Sequence, residues 1–248
     1  MNFWEVIFGD GRGLYLWYGL QVTLVLTVFS LILGVIIGII IALMRTSNFR
    51  PFNHFKNTKF DKLSKFNPLA SLGKIYVDII RGTPLLVQLL IMYYVVFGSY
   101  NFMPKIFVAA IAFGINAGAY IGEIIRGGIE SIDNGQMEAA RSLGLSSWQA
   151  MRLVILPQAL KNSLPSLISE FIALLKETSI VGWIGLNDIM RGADNIRFQT
   201  ATAFESLFAA ALIYLALTAI FTRVATRVER KLKEDDNSVS YTHLTLPT

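Results

Sequence analysis

The run Leu14–Met44 holds 31 consecutive residues without an Asp, Glu, Lys or Arg. A bilayer core of roughly 30 Å needs about 20 mostly apolar helical residues to cross it, so this run suffices for one tilted span. It is too long for the apolar core of a secretory signal, about 7–15 residues, and no small-residue cleavage site follows it. The rest of the composition agrees. The chain of 248 residues is 54% hydrophobic and 16% charged, against roughly 25% charged in soluble domains. Cysteine is absent and histidine occurs twice, at His54 and His243. Disulfides, thiolate metal sites, a cysteine nucleophile and a histidine metal cluster are therefore excluded.

Further apolar runs follow. The second extends from Gly82 to Pro104, and the third from Ile106 until Glu123. The fourth begins near Leu164 and is interrupted by Glu170, Lys176 and Glu177; the fifth runs from Ser206 to Thr222. Five spans are predicted, and the basic residues orient them. The loop Arg45–Arg81 carries eight Lys or Arg, Glu123–Ser163 carries four and the C-terminal tail five. All of these share one side if five spans start with the N-terminus outside. The other side keeps five: Arg12, Lys105, Lys176, Arg191 and Arg197. Because basic loops stay cytoplasmic, the reading is an all-α integral membrane protein with its N-terminus outside and its C-terminus in the cytoplasm.

Residues 1–13 form an extracytoplasmic lead, with Phe3 and Trp4 suited to an interfacial helix. Residues 14–235 form the membrane domain. The stretch Asn48–Ser71 interleaves phenylalanines with lysines; it either lies on the anionic leaflet or is an irregular cytoplasmic loop. After the charged run Arg227–Asp236, Ser238–Thr248 turn to Thr, Ser, Leu and Pro without charge, and residues 236–248 are read as a tail, disordered or foreign to the gene. Gly34 and Gly38, four residues apart in the first span, read as a helix-packing face.

The segment Ser131–Pro165 is the most informative. Asp133 or Asn134 can cap a helix to about Leu143, and Gly144 offers a left-handed stop. Ser146 with Gln149 reads as a capping box opening a second short helix, which approaches the helix-breaking Pro157. Two helices at a glycine corner on the basic side form a cytoplasmic protrusion or, more blandly, an ordered loop.

These residues resemble a family. Glu138-Ala139-Ala140, Gly144 and Leu156-Pro157 are spaced like the EAA loop of ATP-binding-cassette importer permeases, with Val154 where isoleucine is commoner. Arg81-Gly82-Thr83-Pro84-Leu85, the set Asn116, Tyr120, Glu123 and Arg126, and the stretch Glu170 to Ser179 look like its polar amino acid subgroup. The resemblance covers roughly residues 14–235. It implies a type I importer permease of MetI-like fold with five helices, in the cytoplasmic membrane of a bacterium. Its implied partners are a second permease subunit (the same or a sister chain), an ATPase dimer, an extracytoplasmic solute-binding protein, a polar amino acid and membrane lipid, with no nucleic acid. ATP and Mg would be bound by the ATPase. The sequence agrees that this chain lacks a Gly-x-x-x-x-Gly-Lys-Ser/Thr phosphate loop, so no catalytic, metal or cofactor residue is expected here.

In the family the EAA loop couples to the ATPase, which assigns Glu138, Ala139, Ala140, Gly144, Leu156 and Pro157 (131–157 as a segment) to that contact. An ionisable residue inside a span costs about 2.5–3.5 kcal/mol on insertion scales and is a functional candidate. Helical steps of three, four and seven put Ser163, Ser166, Glu170 and Glu177 on one face, and Asn116, Tyr120 and Glu123 on another. Asn116, Tyr120, Glu170, Lys176 and Glu177 are the candidate substrate pathway, with Glu170 alternatively pairing to a partner subunit. Glu123 with Arg126 reads as a gating or structural pair. Two rival readings remain. A membrane enzyme would want a denser reactive cluster than Glu170 supplies. A stand-alone carrier or channel for small polar solutes would more often show an inverted repeat.

Overall fold

The computed structural model describes residues 2–47, 49–52, 64–100 and 102–241, with side chains as far as Arg230. His54, His243 and much of the basic–aromatic loop lie outside the described residues, as do 242–248 of the tail. Every element among the described residues is helical.

A short helix α1 (Phe3–Phe8) is capped by Asn2, whose side chain accepts from Glu5 N at 2.9 Å. A tight turn at Gly9–Gly11 follows, and the buried Arg12 closes it by donating to Val6 O (2.8 Å) and Glu5 O (2.7 Å). Val6 and Ile7 are buried with Leu16, Ile189, Ile196 and Ala210. The lead is therefore packed onto the helical body.

Helix α2 (Gly13–Thr46) has 34 residues, roughly 51 Å at 1.5 Å per residue. Its buried stripe is made of Gly19, Thr23, Thr27, Ser30, Gly34 and Gly38 alongside Leu16, Leu26, Ile41 and Ala42. Its exposed face is made of Val25, Phe29, Ile32, Ile36, Ile40 and Leu43. Small and hydroxyl groups inside with bulky hydrocarbon outside is the pattern that lipid as solvent favours. The partner is α5 (Lys105–Glu130), which shares with α2 the most extensive helix contact. Close approach demands glycine on both sides. A Cβ on Gly38 would lie 2.6 Å from Ile121 Cγ2, and one on Gly118 would lie 2.6 Å from Ile37 Cγ2.

The second expected span begins at a sharp bend, its described helical part being Leu85–Val96. Helix α3 (Pro68–Arg81) and the segment α4 (Leu85–Leu90, continued as a π-helical turn to Val96) meet at 101°. Pro84 cannot continue α3, having no N–H and a fixed φ. The freed carbonyls are taken up locally, because Thr83 Oγ1 donates to Ile79 O at 2.9 Å and Gln88 Nε2 to Ile80 O at 2.8 Å.

Helices α6 (Asn134–Ser142) and α7 (Ser147–Ala150) form the protrusion, and a π-helical turn (Met151–Ile155) leads into α8 (Leu156–Glu177). Pro157 lies in the first turn of α8, where a proline's missing N–H costs nothing, and regular α-helix before it stops at Ala150. The widened turn Met151–Ile155 joins the two helices and accommodates the proline ring. A 3₁₀ segment (Thr178–Ile184), α9 (Ile189–Thr200) and α10 (Ala203–Tyr241) complete the chain. Helix α10 thus includes the first residues of the stretch from Asp236.

Three described helices are long and apolar enough to cross a bilayer: Gly13–Thr46, Lys105–Glu130 and Ala203–Arg230. The α3–α4 pair makes a fourth if taken as one bent span. Helix α8 has 22 residues, about 33 Å in length, but is more polar than these, with Lys161, Asn162, Ser163 and Glu170 along it.

Candidate functional site

The candidate residues fall in two regions, the protrusion and the polar interior between α3, α5 and α8. The protrusion is built from its own short-range bonds. Asp133 caps α6 by accepting from Gly135 N at 2.6 Å. Gly144 has φ of +90°, and a Cβ there would touch nothing within 4 Å, so backbone conformation, not space, selects glycine. Leu145 N donates back to Ala140 O at 3.3 Å and Gly144 N to Arg141 O at 3.0 Å, closing the helix end. Both capping-box bonds form: Ser146 N donates to Gln149 Oε1 (2.8 Å) and Gln149 N to Ser146 Oγ (3.2 Å). The two alanines part company, Ala139 being exposed and Ala140 buried against the turn behind it. Glu138 and Pro157 are exposed and Leu156 is half-buried. Leu143 (85% exposed) and Trp148 (68%) are apolar side chains that this chain leaves uncovered on the same protrusion.

In the interior, Asn116 is buried and its Nδ2 donates to Gln88 Oε1 at 3.0 Å. Because Gln88 also holds Ile80 O and Thr83, Asn116 anchors the bend between α3 and α4. Arg81, ending α3, stands over the Tyr120 ring at 5.0 Å, a cation–π contact. Its charge also reaches Glu123 and Glu170. Of the three, only Tyr120 is in direct contact with the guanidinium.

Glu123 is the hub of an ion-pair network. Arg126 Nε donates to its Oε1 at 3.0 Å, Arg45 of α2 pairs with its other oxygen, and Arg126 pairs in turn with Glu130. On α8, Ser163 is used in packing: its Oγ donates to Ala159 O at 2.8 Å and approaches Ile124 O at 3.3 Å. Ser166 is exposed, while Glu170 and Glu177 are half-buried. Lys176 is exposed beside Glu177 and is not gathered at Arg81. No group of three or more acidic or imidazole side chains suited to a metal ion exists among the described residues.

Sequence reasoning missed Gln88, Arg45 and Glu130, and took Arg81 only as part of a motif. Gln88 carried a signal, as an amide inside a charge-free run. Arg45 carried none, since its pairing with Glu123 depends on how α2 lies on α5. A further buried centre was also unforeseen. Asp188 caps α9, its Oδ2 accepting from Met190 N (3.0 Å) and Tyr214 Oη (3.3 Å) and its Oδ1 from Arg191 N (3.1 Å). Burial raises the Asp188 carboxyl above the usual carboxylate range, opposed by those amide bonds.

Residues 62–234 match the family of inner membrane components of binding-protein-dependent transport systems. The chain is 39% identical to the arginine transport system permease protein ArtQ of Bacillus subtilis over 88% of its own length and 92% of that protein. It is 34% identical to the glutamate/aspartate import permease protein GltK of Escherichia coli, covering 88% and 93%. Among solved structures, an amino acid ABC transporter crystallised with histidines superimposes with a TM-score of 0.79 at 38% identity, covering 93% of this chain and 99% of that one. The inward-facing MetNI methionine transporter shares the fold, with a TM-score of 0.73 at 19% identity. The chain therefore belongs to the family of binding-protein-dependent transport system inner membrane components, as a helical permease subunit of an ABC transporter whose ATP hydrolysis resides in a separate chain.

Proposed function

We propose that this permease imports polar amino acids across a bacterial cytoplasmic membrane, with five spans, the N-terminus outside and the C-terminus in the cytoplasm. Helix α8 is then the fourth span, its charges tolerated because Glu170 and Glu177 turn inward instead of toward lipid. The protrusion, with Glu138, Ala139, Ala140, Gly144, Leu156 and Pro157, is the contact on which the ATPase dimer pulls. Exposed Leu143 and Trp148 supply its apolar part. Asn116, Tyr120, Glu170, Lys176 and Glu177 border the pathway, which is completed by a second permease subunit and fed by an extracytoplasmic solute-binding protein. The Glu123–Arg126 pair, extended by Arg45 and Glu130, closes the cytoplasmic end of the pathway.

The observation that supports this reading is Arg81 standing over the Tyr120 ring at 5.0 Å, one helical turn from the buried amide of Asn116. A guanidinium on α3 and the carboxylates of α5 and α8 on the same side of the molecule suit a zwitterion, whose two charges can each find an opposite partner. The deciding test is ATPase activity in proteoliposomes of this chain with its ATPase, with and without the binding protein, across an amino acid panel. Stimulation by one class of amino acid is expected. Failure to form a complex with any ATPase would return the chain to the stand-alone carriers.

A further inference from the structure

At the Lys105 end of α5, away from Arg81, a cleft of about 320 Å³ is bordered by Tyr93, Tyr94, Phe97, Tyr100 and Lys105. That volume falls at the lower end of the range for small-molecule sites, about 300–1,000 Å³. Its polar groups are unspent. Tyr93, Tyr94 and Tyr100 make ring contacts, with Tyr93 edge-on to Tyr94 at 4.9 Å and Phe97 to Tyr100 at 6.3 Å. Their hydroxyls have no hydrogen-bond partner among the described residues. Lys105 Nζ donates to Gly185 O at 3.5 Å, the edge of bonding range, and stands 5.9 Å from the Tyr93 ring centre. No carboxylate among the described residues pairs with it. An ammonium has three donors to place, and here it places one weakly.

The position of Lys105 sharpens the question. It opens a helix of 26 residues, where the macrodipole is positive and a cation is disfavoured. Gly185, with φ of +72°, leaves room for the ammonium, since a Cβ there would lie 2.9 Å from Nζ. A cation at a like-signed helix end, sharing its cleft with three tyrosines and no acid among the described residues, suits an anion small enough to enter the cleft.

We propose that this cleft is an entry subsite that takes the α-carboxylate of a free amino acid at the outer mouth of the pathway, before the substrate reaches the Arg81–Glu170 region. Lys105 meets the carboxylate, the tyrosine hydroxyls donate to it, and the rings cover the apolar part of the side chain. This inference rests on the importer reading, which places the Lys105 end outside.

The native chain contains no cysteine, so a single introduced thiol can be followed alone. Tyr94→Cys and, separately, Tyr100→Cys would be prepared in the complex with the ATPase, accepted only where the ATPase co-purifies, and reconstituted into vesicles. Both would be reacted from outside with a charged, membrane-impermeant maleimide in the presence of arginine, glutamine or glutamate, or of the corresponding α-carboxamides. At least one free amino acid is expected to slow labelling at both positions, while its α-carboxamide does not. Adding Lys105→Gln should raise the half-protecting concentration by roughly tenfold or more, as expected for loss of a charge-assisted hydrogen bond, and Lys105→Arg should restore protection. Equal protection by acid and carboxamide, no protection, or protection by the binding protein alone would overturn the subsite. Import by the wild-type complex, measured in parallel, separates the two readings. If it imports while the cysteines are unprotected, only the subsite falls; if it imports no amino acid, both fall.

Discussion

The protrusion and the α2–α5 interface are both built around glycine, for opposite reasons. Gly144 has open space around it and is required by its left-handed backbone. Gly38 and Gly118 are ordinary helical residues, required because Ile121 and Ile37 occupy the space a side chain would fill. The first requirement is satisfied within about a dozen residues of chain. The second arises only when two helices distant in sequence meet. A region that organises itself can serve as a rigid part handed to a partner, whereas a region organised by neighbours is the frame that holds it.

Substitutions can break this contrast. Gly118→Leu should have the largest effect, destabilising by about 3 kcal/mol through overpacking and lowering both the yield and the thermal midpoint of the purified complex. A variant that assembled with an unchanged midpoint would show that α2 and α5 do not pack this closely. Gln88→Ala leaves the buried Asn116 amide and the carbonyls at the α3 end without their partner. A loss of about 1–3 kcal/mol is expected, and Asn116→Ala in the same background should add little, because both act through one network. Full additivity in that double-mutant cycle would dissolve the network.

The protrusion should respond differently. Gly144→Val forces a β-branched residue to positive φ, a strain of roughly 1–3 kcal/mol confined to the corner. Assembly of the membrane helices should survive while substrate-stimulated ATPase activity is lost, and Gly144→Asn should retain most of it. Loss of membrane assembly in Gly144→Val would mean that the protrusion is part of the frame. Ser146→Ala removes one half of the capping box, about 1 kcal/mol; hydrogen exchange should quicken in Ser147–Ala150 and stay unchanged in α5.

The smallest effect concerns Asp188, which belongs to the frame by burial and to a local cap by bonding. Its folded carboxyl titrates above the ordinary value, so the folded state favours the proton more than the unfolded state does. The resulting stabilisation is complete below the unfolded value, near 4, and is lost as pH rises through the folded value. Asp188→Asn should flatten the fall in thermal midpoint from mildly acid to neutral pH. An unchanged pH profile would place the titration elsewhere.

Legibility in the sequence follows the same division. The caps at Asp133 and Ser146 and the stop at Gly144 were readable because each bond joins residues only a few positions apart. The interior was readable as candidates without partners. Asn116 and Glu123 stood out as polar groups in apolar runs, but Gln88, Arg45 and Arg81 as their neighbours depend on where α2, α3 and α5 lie. The 101° turn by which α3 enters the charge-free run at Gly82 was not legible either, since hydropathy records cost of transfer and not direction.

By itself the sequence determined that the chain is a helical membrane protein and how the protrusion folds, because solvent transfer and capping are local properties. The tertiary structure alone decided which polar side chains share a site, which glycines admit a neighbouring helix and that Lys105 faces a tyrosine-lined cleft. Inside a bilayer one apolar surface is as acceptable to lipid as another, so which helices touch is settled by shape and by the few buried hydrogen bonds that only the assembled fold can complete.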